Sequence, residues 1–265
     1  YLIYVLREGL YDDFANIGHP MLVAETYIGT KKIIENYVDE VSDCLRYLAS
    51  SECITFQLKE KIQFFEECQK AYGQPALMLS GGATLGLFHT GVCKALLEQD
   101  LLPKVLSGSS AGAIMTGMLG TSSADQIPEL LTGKHFFHEA FRFRKVMELI
   151  KGHGGIADVM YLKKFLIHNM GDLTFAEAYQ RSGLHINIAV APYNASQNPL
   201  ILNALTAPNV LVWSAVMASC AVPVLFPPVH LTSKRYDGQH TPYMSNTKWV
   251  DGSMRSDFPQ EKMAR

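Results

Sequence analysis

The sequence predicts an α/β domain with a mainly parallel central sheet flanked by helices, preceded by a helical N-terminal region. Three observations carry this reading. A short apolar run, Ala76 to Leu79, leads into Gly81-Gly82-Ala83-Thr84-Leu85-Gly86 and then an amphipathic stretch from Leu87 to Gln99. A second run, about Lys104 to Ser107, leads into Gly108-Ser109-Ser110-Ala111-Gly112 and a helix of small residues from Ala113 to Leu119. Strand, tight turn and helix, twice in succession, is the pattern of parallel strands with helices packed on their sheet. Before Pro75, by contrast, the apolar residues recur only at helical spacing.

Taken in order, residues 1–74 form the helical region and 75–265 the α/β domain. From about Thr30 to Ala49, Ile33, Ile34, Tyr37, Val38, Val41, Leu45 and Leu48 make one apolar stripe, which needs a partner surface and is expected to be buried against the α/β domain. A second helix, about Thr55 to Ala71, carries Leu58, Ile62, Phe65 and Cys68 on one face and ends at Gly73-Gln74-Pro75. Phe14 to Ile28 mixes aromatics with Gly18 and Pro20 and reads as a loop with helical pieces. Residues 124–182 read as mainly helical, interrupted at Gly152 to Gly155. Leu184 to Ala191, Leu200 to Leu205 and Val210 to Trp213 are further strand candidates, and Lys248-Trp249-Val250 delivers Asp251 at a strand end.

Composition narrows the function classes. With 48% apolar residues and a net charge of -2, the chain buries a sizeable core and offers no basic face for a nucleic-acid backbone. The five cysteines are odd in number and contain no Cys-x-x-Cys pair, which fits a reducing compartment and argues against a structural metal or a disulfide framework. Ser182 to Ser233 has no charged residue between its ends, but prolines divide it, and the longest proline-free piece, Asn209 to Val222, is too short for a transmembrane helix. It reads as buried core, with the lining of an acyl channel as the alternative. Lys134 to Lys145 mixes aromatic and basic residues and reads as a packed helix with a solvated face, or as a face resting on lipid.

Gly108-Ser109-Ser110-Ala111-Gly112 fits G-x-S-x-G, in which small neighbours let a strand turn sharply into a helix and leave the central serine hydroxyl exposed at the bend. The following helix points unpaired amides at the same spot, favouring negative charge there. The glycine loop Gly81-Gly82-Ala83 can aim further amides at a developing oxyanion. Two phosphate-binding readings of that loop fail. Ala83 stands where a dinucleotide fingerprint needs glycine, and Gly86-Leu87-Phe88 stands where a P-loop needs Gly-Lys-Ser/Thr. A plain glycine turn stays open.

A serine nucleophile needs a base. Asp251-Gly252-Ser253 places an aspartate at a strand end, in itself an ordinary turn signal. No histidine follows Asp251 in this sequence, where a Ser, Asp, His order would put one. His185 or His230 acting as base stays open.

This order of glycine loop, strand, Gly-Ser-Ser-Ala-Gly elbow and distant Asp-Gly-Ser resembles the patatin-like phospholipase family. Leu79 to Gly117, Ala204 to Pro228 and Lys248 to Pro259 are most similar to its triacylglycerol-lipase branch, which also carries a helical N-terminal region. The resemblance implies a patatin-like three-layer fold and a Ser-Asp dyad without histidine. Ser110 then takes the place of the nucleophile, Asp251 of the base, and Gly81, Gly82 and Ala83 of the oxyanion loop, with Gly86, Gly108, Gly112 and Gly252 supporting the motifs. There are departures: the family loop has a third glycine and a basic residue where this chain has Ala83 and Leu85, and Ser253 stands where Gly or Ala is usual. The sequence stops fourteen residues after Asp251, short of further sheet and helix, so it is read as truncated there.

The expected activity is hydrolysis of long-chain acyl esters, of the triacylglycerol lipase or phospholipase A type, through an acyl-enzyme. No metal or organic cofactor is required. The expected partner is a lipid substrate, at a membrane or lipid-droplet surface touched peripherally, in an intracellular, cytoplasmic protein with no transmembrane span. An acyltransferase or thioesterase on the same dyad, or a non-catalytic lipid-binding protein, are the alternatives.

Overall fold

The computed structural model describes residues 1–10, 12–17, 19–24, 31–132, 159–194, 198–223 and 226–253. The aromatic and basic segment Lys134 to Lys145 and the Gly152 to Gly155 interruption lie outside these residues. The chain divides into two compact units, Tyr1–Gln74 and Pro75–Arg265.

The first unit is helical: α1 (Leu2–Gly9), α2 (Asp12–Asn16), α3 (Pro20–Val23), α4 (Lys32–Ala49) and α5 (Leu58–Tyr72). The stripe on α4 finds its partner inside this unit. Val41, Cys44, Leu45 and Leu48 pack with Leu6, Leu10, Cys53, Phe64 and Cys68 in one apolar cluster, while Ile33 at the start of the stripe is exposed. Helix α5 differs from expectation by a rotation. Its buried face is Phe64 and Cys68, and Leu58 and Ile62 point to solvent, because the larger Phe64 takes the interior position against Phe56 and Phe65. A capping box between Gln57 and Glu60 sets the start of α5.

The second unit is built on a five-stranded mixed sheet: β1 (Ala76–Leu79), β2 (Val105–Gly108), β3 (His185–Pro192), β4 (Leu200–Leu202) and β7 (Trp249–Asp251). β1, β2 and β3 are consecutive and parallel, whereas β4 and β7 run antiparallel to β3. A separate hairpin is formed by β5 (Leu231–Lys234) and β6 (His240–Tyr243). Helices α6 (Leu87–Glu98), α7 (Ala111–Thr121), α8 (Ile127–Leu130), α9 (Val159–Met170), α10 (Phe175–Ser182) and α11 (Val212–Ser219) accompany them. Every residue of α7 and of α11 is buried, as are nearly all of β3, so the uncharged stretch after Ser182 supplies the core.

Val210 to Trp213, expected as a strand, is corrected. Only Val210 and Leu211 make isolated bridges, and the chain then turns helical as α11. A helix buried on all sides has no polar face, so its sequence loses the 3.6-residue period and looks like an interior strand. No helix among the described residues is long and apolar enough to cross a membrane.

Candidate active site

The elbow forms because β2 ends at a point where only glycine fits. A Cβ on Gly108 would stand 2.4 Å from the Gly112 carbonyl oxygen, and one on Gly112 would stand 2.0 Å from that of Leu79. The Gly112 amide donates to Ser80 O at 3.2 Å, and the Ser109 amide to Leu79 O at 3.2 Å, which lashes the turn to the end of β1. Ser110 at the bend has φ 51° and ψ −117°. Such backbone costs an L residue about 1–3 kcal/mol and persists only where its surroundings hold it. Its side chain makes no capping bond to α7. Ser110 keeps 7% of its surface accessible, against 1% for Ser107 and 0% for Ser109, which leaves the central serine as the most accessible of the three.

The sheet brings Asp251 to the same place. Ile188 on β3 pairs with Gly108 and with Leu202; Val190 pairs with Leu200 and with Asp251. β7 therefore lies on the same edge of β3 as β2 and approaches from the opposite direction. The two strand ends meet along β3, two residues or about 6.6 Å apart. Gly252 is required next, since a Cβ there would stand 2.4 Å from Ala189 O. The Asp251 carboxylate is fully buried and its Oδ1 accepts the Ser253 amide at 2.8 Å.

The glycine loop closes the third side. A Cβ on Gly81 would stand 3.3 Å from both Ser110 Cβ and Ser253 Cβ, so Gly81 runs between the elbow and the acid turn. Ala83–Gly86 forms a 3-10 turn that leads directly into α6. Amides at the start of such a turn have no partner within it. Ala83 occupies φ 49°, in the left-handed region that glycine favours. His89 on α6 holds the loop from behind: its Nε2 lies 2.9 Å from Ser80 O, the same carbonyl that takes the Gly112 amide. A carbonyl only accepts, which puts the proton on Nε2.

Of the other histidines, His185 stacks on Tyr179 at the start of β3, the end remote from the elbow. His240 pairs with Asp172 at 2.9 Å on the hairpin, and His230 is exposed beside a polar recess lined by Tyr193, Asn246 and Lys248. A cleft of about 720 Å³ lies between α10 and the hairpin, lined by Glu177, Asn209, Lys234 and Arg235, and neither Ser110 nor Asp251 faces it. Among the described residues no cluster of three or more His, Cys, Asp or Glu could hold a metal ion.

Sequence reasoning missed one segment, Ser219-Cys220-Ala221 at the end of α11. Ser219 Oγ accepts the Ser110 amide at 3.0 Å and donates to Ala189 O at 2.7 Å. The Cys220 thiol donates to Ser110 O at 3.3 Å, and Ala221 O accepts the Asp251 amide at 3.1 Å. Burial, and after it the charge of Asp251, pushes the Cys220 thiol well above its usual range, so it stays protonated and keeps donating.

Residues 77–263 match the patatin-like phospholipase family, and residues 1–70 match a domain of unknown function, DUF3336. Triacylglycerol lipase ptl2 of Schizosaccharomyces pombe is 34% identical over 98% of this chain and 41% of its own length. Triacylglycerol lipase 4 of Saccharomyces cerevisiae is 38% identical over 99% of this chain and 30% of its own length. A patatin-like phospholipase domain-containing protein of Aspergillus fumigatus is 35% identical over 97% of this chain and 36% of its own. The chain thus spans about a third of the length of these relatives. Among solved structures, VipD from Legionella pneumophila aligns with 70% of this chain and 47% of its own at 15% identity, with a TM-score of 0.42.

Proposed function

Since the chain belongs to the patatin-like phospholipase family, we propose that it is a serine lipid acyl hydrolase that cleaves long-chain acyl esters of the triacylglycerol or phospholipid type. The observation that supports this reading is the meeting of β2 and β7 on one edge of β3, close to where a strained serine follows β2 and a buried carboxylate ends β7. Ser110 Oγ attacks the ester carbonyl while Asp251 takes its proton. Backbone amides of Gly81, Gly82 and Ala83 hold the oxyanion, and such donors are worth about 3–4 kcal/mol each in other hydrolases. Collapse of the tetrahedral intermediate expels the alcohol, which receives the proton from Asp251. The acyl group stays on Ser110 until water, deprotonated by the same carboxylate, releases the fatty acid.

The substrate arrives from an apolar phase. Leu85 and Phe88, beside the glycine loop, are 65% and 73% exposed, and apolar side chains in that position support peripheral contact with a membrane or lipid-droplet surface. The five free cysteines support a reducing, cytoplasmic location.

Incubation of the purified protein with triacylglycerol emulsions, phospholipid vesicles and lysophospholipid, with water as sole acyl acceptor, tests the reading. Free fatty acid is expected from at least one class and none from Ser110→Ala. Acyl transfer only to an added alcohol or thiol, or binding without turnover, would replace hydrolysis by one of the alternatives.

A further inference from the structure

Ser219 lies fully buried at the last turn of α11, in a stretch whose apolar neighbours need no hydroxyl. Its Oγ makes two bonds, and both end at the break on β3 where β2 and β7 each stop. It accepts the Ser110 amide at 3.0 Å and donates to Ala189 O at 2.7 Å. Ala189 is the residue between Ile188 and Val190, the partners of Gly108 and Asp251. The hydroxyl therefore bridges the elbow to the strand that also positions the acid. The next two residues continue the same work, Cys220 on the Ser110 carbonyl and Ala221 on the Asp251 amide.

Resting on the reading of Ser110 as nucleophile, we propose that Ser219 is a positioning residue for it: the Ser219 hydroxyl holds the Ser110 amide away from the oxyanion site and fixes the strained elbow at its distance from Asp251. Two consequences follow from the geometry. The Ser110 amide is already engaged and is not itself an oxyanion donor. And since Ser110 adopts a backbone conformation that L residues rarely hold, releasing its amide lets the elbow relax and moves Oγ without unfolding the domain.

The experiment compares Ser219→Ala with Ser214→Ala in the purified protein. Ser214 is a second fully buried serine of α11, five residues before Ser219, whose Oγ accepts the Thr232 amide at 2.6 Å rather than the elbow. Rates on a soluble short-chain p-nitrophenyl ester are normalised to Ser110 sites titrated with a fluorophosphonate, and thermal unfolding is followed in parallel. Ser219→Ala is expected to lower kcat per titrated site by at least about tenfold with KM within about twofold, as displacement of a reacting group costs rate rather than affinity. Ser214→Ala is expected to shift unfolding by a similar amount while its kcat stays within about twofold of the starting protein. A Ser219→Ala protein with unchanged kcat per site, however unstable, overturns the proposal. Should that variant not fold, Ser219→Cys keeps the volume with a weaker acceptor, and the same rate comparison decides. The first-order rate of Ser110 phosphonylation gives the same comparison without any ester turnover. A protein that hydrolyses no lipid but still shows slowed phosphonylation in Ser219→Ala would overturn the lipid reading and keep the positioning role.

Discussion

Gly108 and Asp251 sit two positions apart on one edge of β3, paired with Ile188 and Val190. One belongs to a strand running parallel to β3 and the other to a strand running against it, so the two ends point at each other. This arrangement makes a serine and an aspartate that are distant in the chain into neighbours. It does so through backbone pairing, before any side-chain contact is considered.

Reaction of the protein with a fluorophosphonate should place the label on Ser110. Ser107 and Ser109 are closed off at 1% and 0% exposure, and Ser110 at the bend is the most accessible of the three at 7%. Mass spectrometry of the adduct reads the position; a label on Ser109, or full labelling of Ser110→Ala, would mean that the elbow is misassigned.

Two glycine-to-alanine changes should behave oppositely. A Cβ at position 112 meets the Leu79 and Ser80 carbonyls at 2.0 and 2.8 Å, whereas nothing lies within 4 Å of one at position 91. Gly112→Ala must push α7 off the end of β1 and should abolish labelling of Ser110. Gly91→Ala, in the middle of α6, should gain up to about 1 kcal/mol from helix propensity. Chemical denaturation of both proteins tests the pair, and equal stability would contradict the close packing of the elbow.

Ala83→Gly should stabilise the protein. At φ 49° an alanine pays for its Cβ, and glycine removes that strain while adding freedom to the unfolded chain, for a net gain of up to about 1 kcal/mol. Thermal unfolding should rise by a few degrees, roughly the shift expected of such a gain. A clear loss would show that Ala83 does not occupy left-handed backbone.

The elbow and the acid were legible in the sequence because their glycines answer to local sterics. Gly108, Gly112 and Gly252 each stand where a Cβ would strike backbone in the next element, and such positions leave a mark in composition. Ser219 left none. Its partner Ser110 is 109 residues away, and a serine in an uncharged run looks the same whether or not it holds another residue's amide. The β5–β6 hairpin leaves only a weak mark although Asp237-Gly238 sits in its turn, with Gly238 at φ 81°, because its strands are short and only half buried. Val210 to Trp213 looks like a strand for the opposite reason: complete burial of α11 erases its period.

Glu177 gives the pH dependence a definite sign. Burial raises its carboxyl, but hydrogen bonds from Lys234 and from the Thr174 amide, with the Lys234 charge, outweigh that and leave it below the usual range. A carboxyl lowered on folding adds stability above its unfolded pKa of about 4.3, and the contribution is lost as pH falls through the folded value. With 41% of the Glu177 side chain exposed, the amount at neutral pH is below about 1 kcal/mol. Glu177→Gln keeps the capping geometry and should unfold earlier than the starting protein at pH 7 but alongside it at pH 3. A gap that does not close on acidification would rule out the ionic origin.

The remaining prediction separates a Ser-Asp dyad from every histidine-dependent serine hydrolase. Asp251 is fully buried beside the elbow, its amide fixed to Ala221 and its Oδ1 to the Ser253 amide. Asparagine keeps that shape but accepts no proton at neutral pH, so Asp251→Asn should retain the fold by circular dichroism and lose about 100 to 10,000-fold in rate, the range for a positioned acid-base group. His185 and His240 are committed elsewhere, to Tyr179 and Asp172, and His230 is exposed. Replacing any one of the three should cost less than about tenfold. His89 is the informative case, because it touches the loop through Ser80 O rather than the nucleophile. His89→Gln, which keeps a donor, should cost less than His89→Ala, and the pH profile of either should keep the shape of the starting protein, since positioning a carbonyl needs no proton exchange. A His89 variant that matches Asp251→Asn in rate and also flattens the pH profile would make the histidine the base.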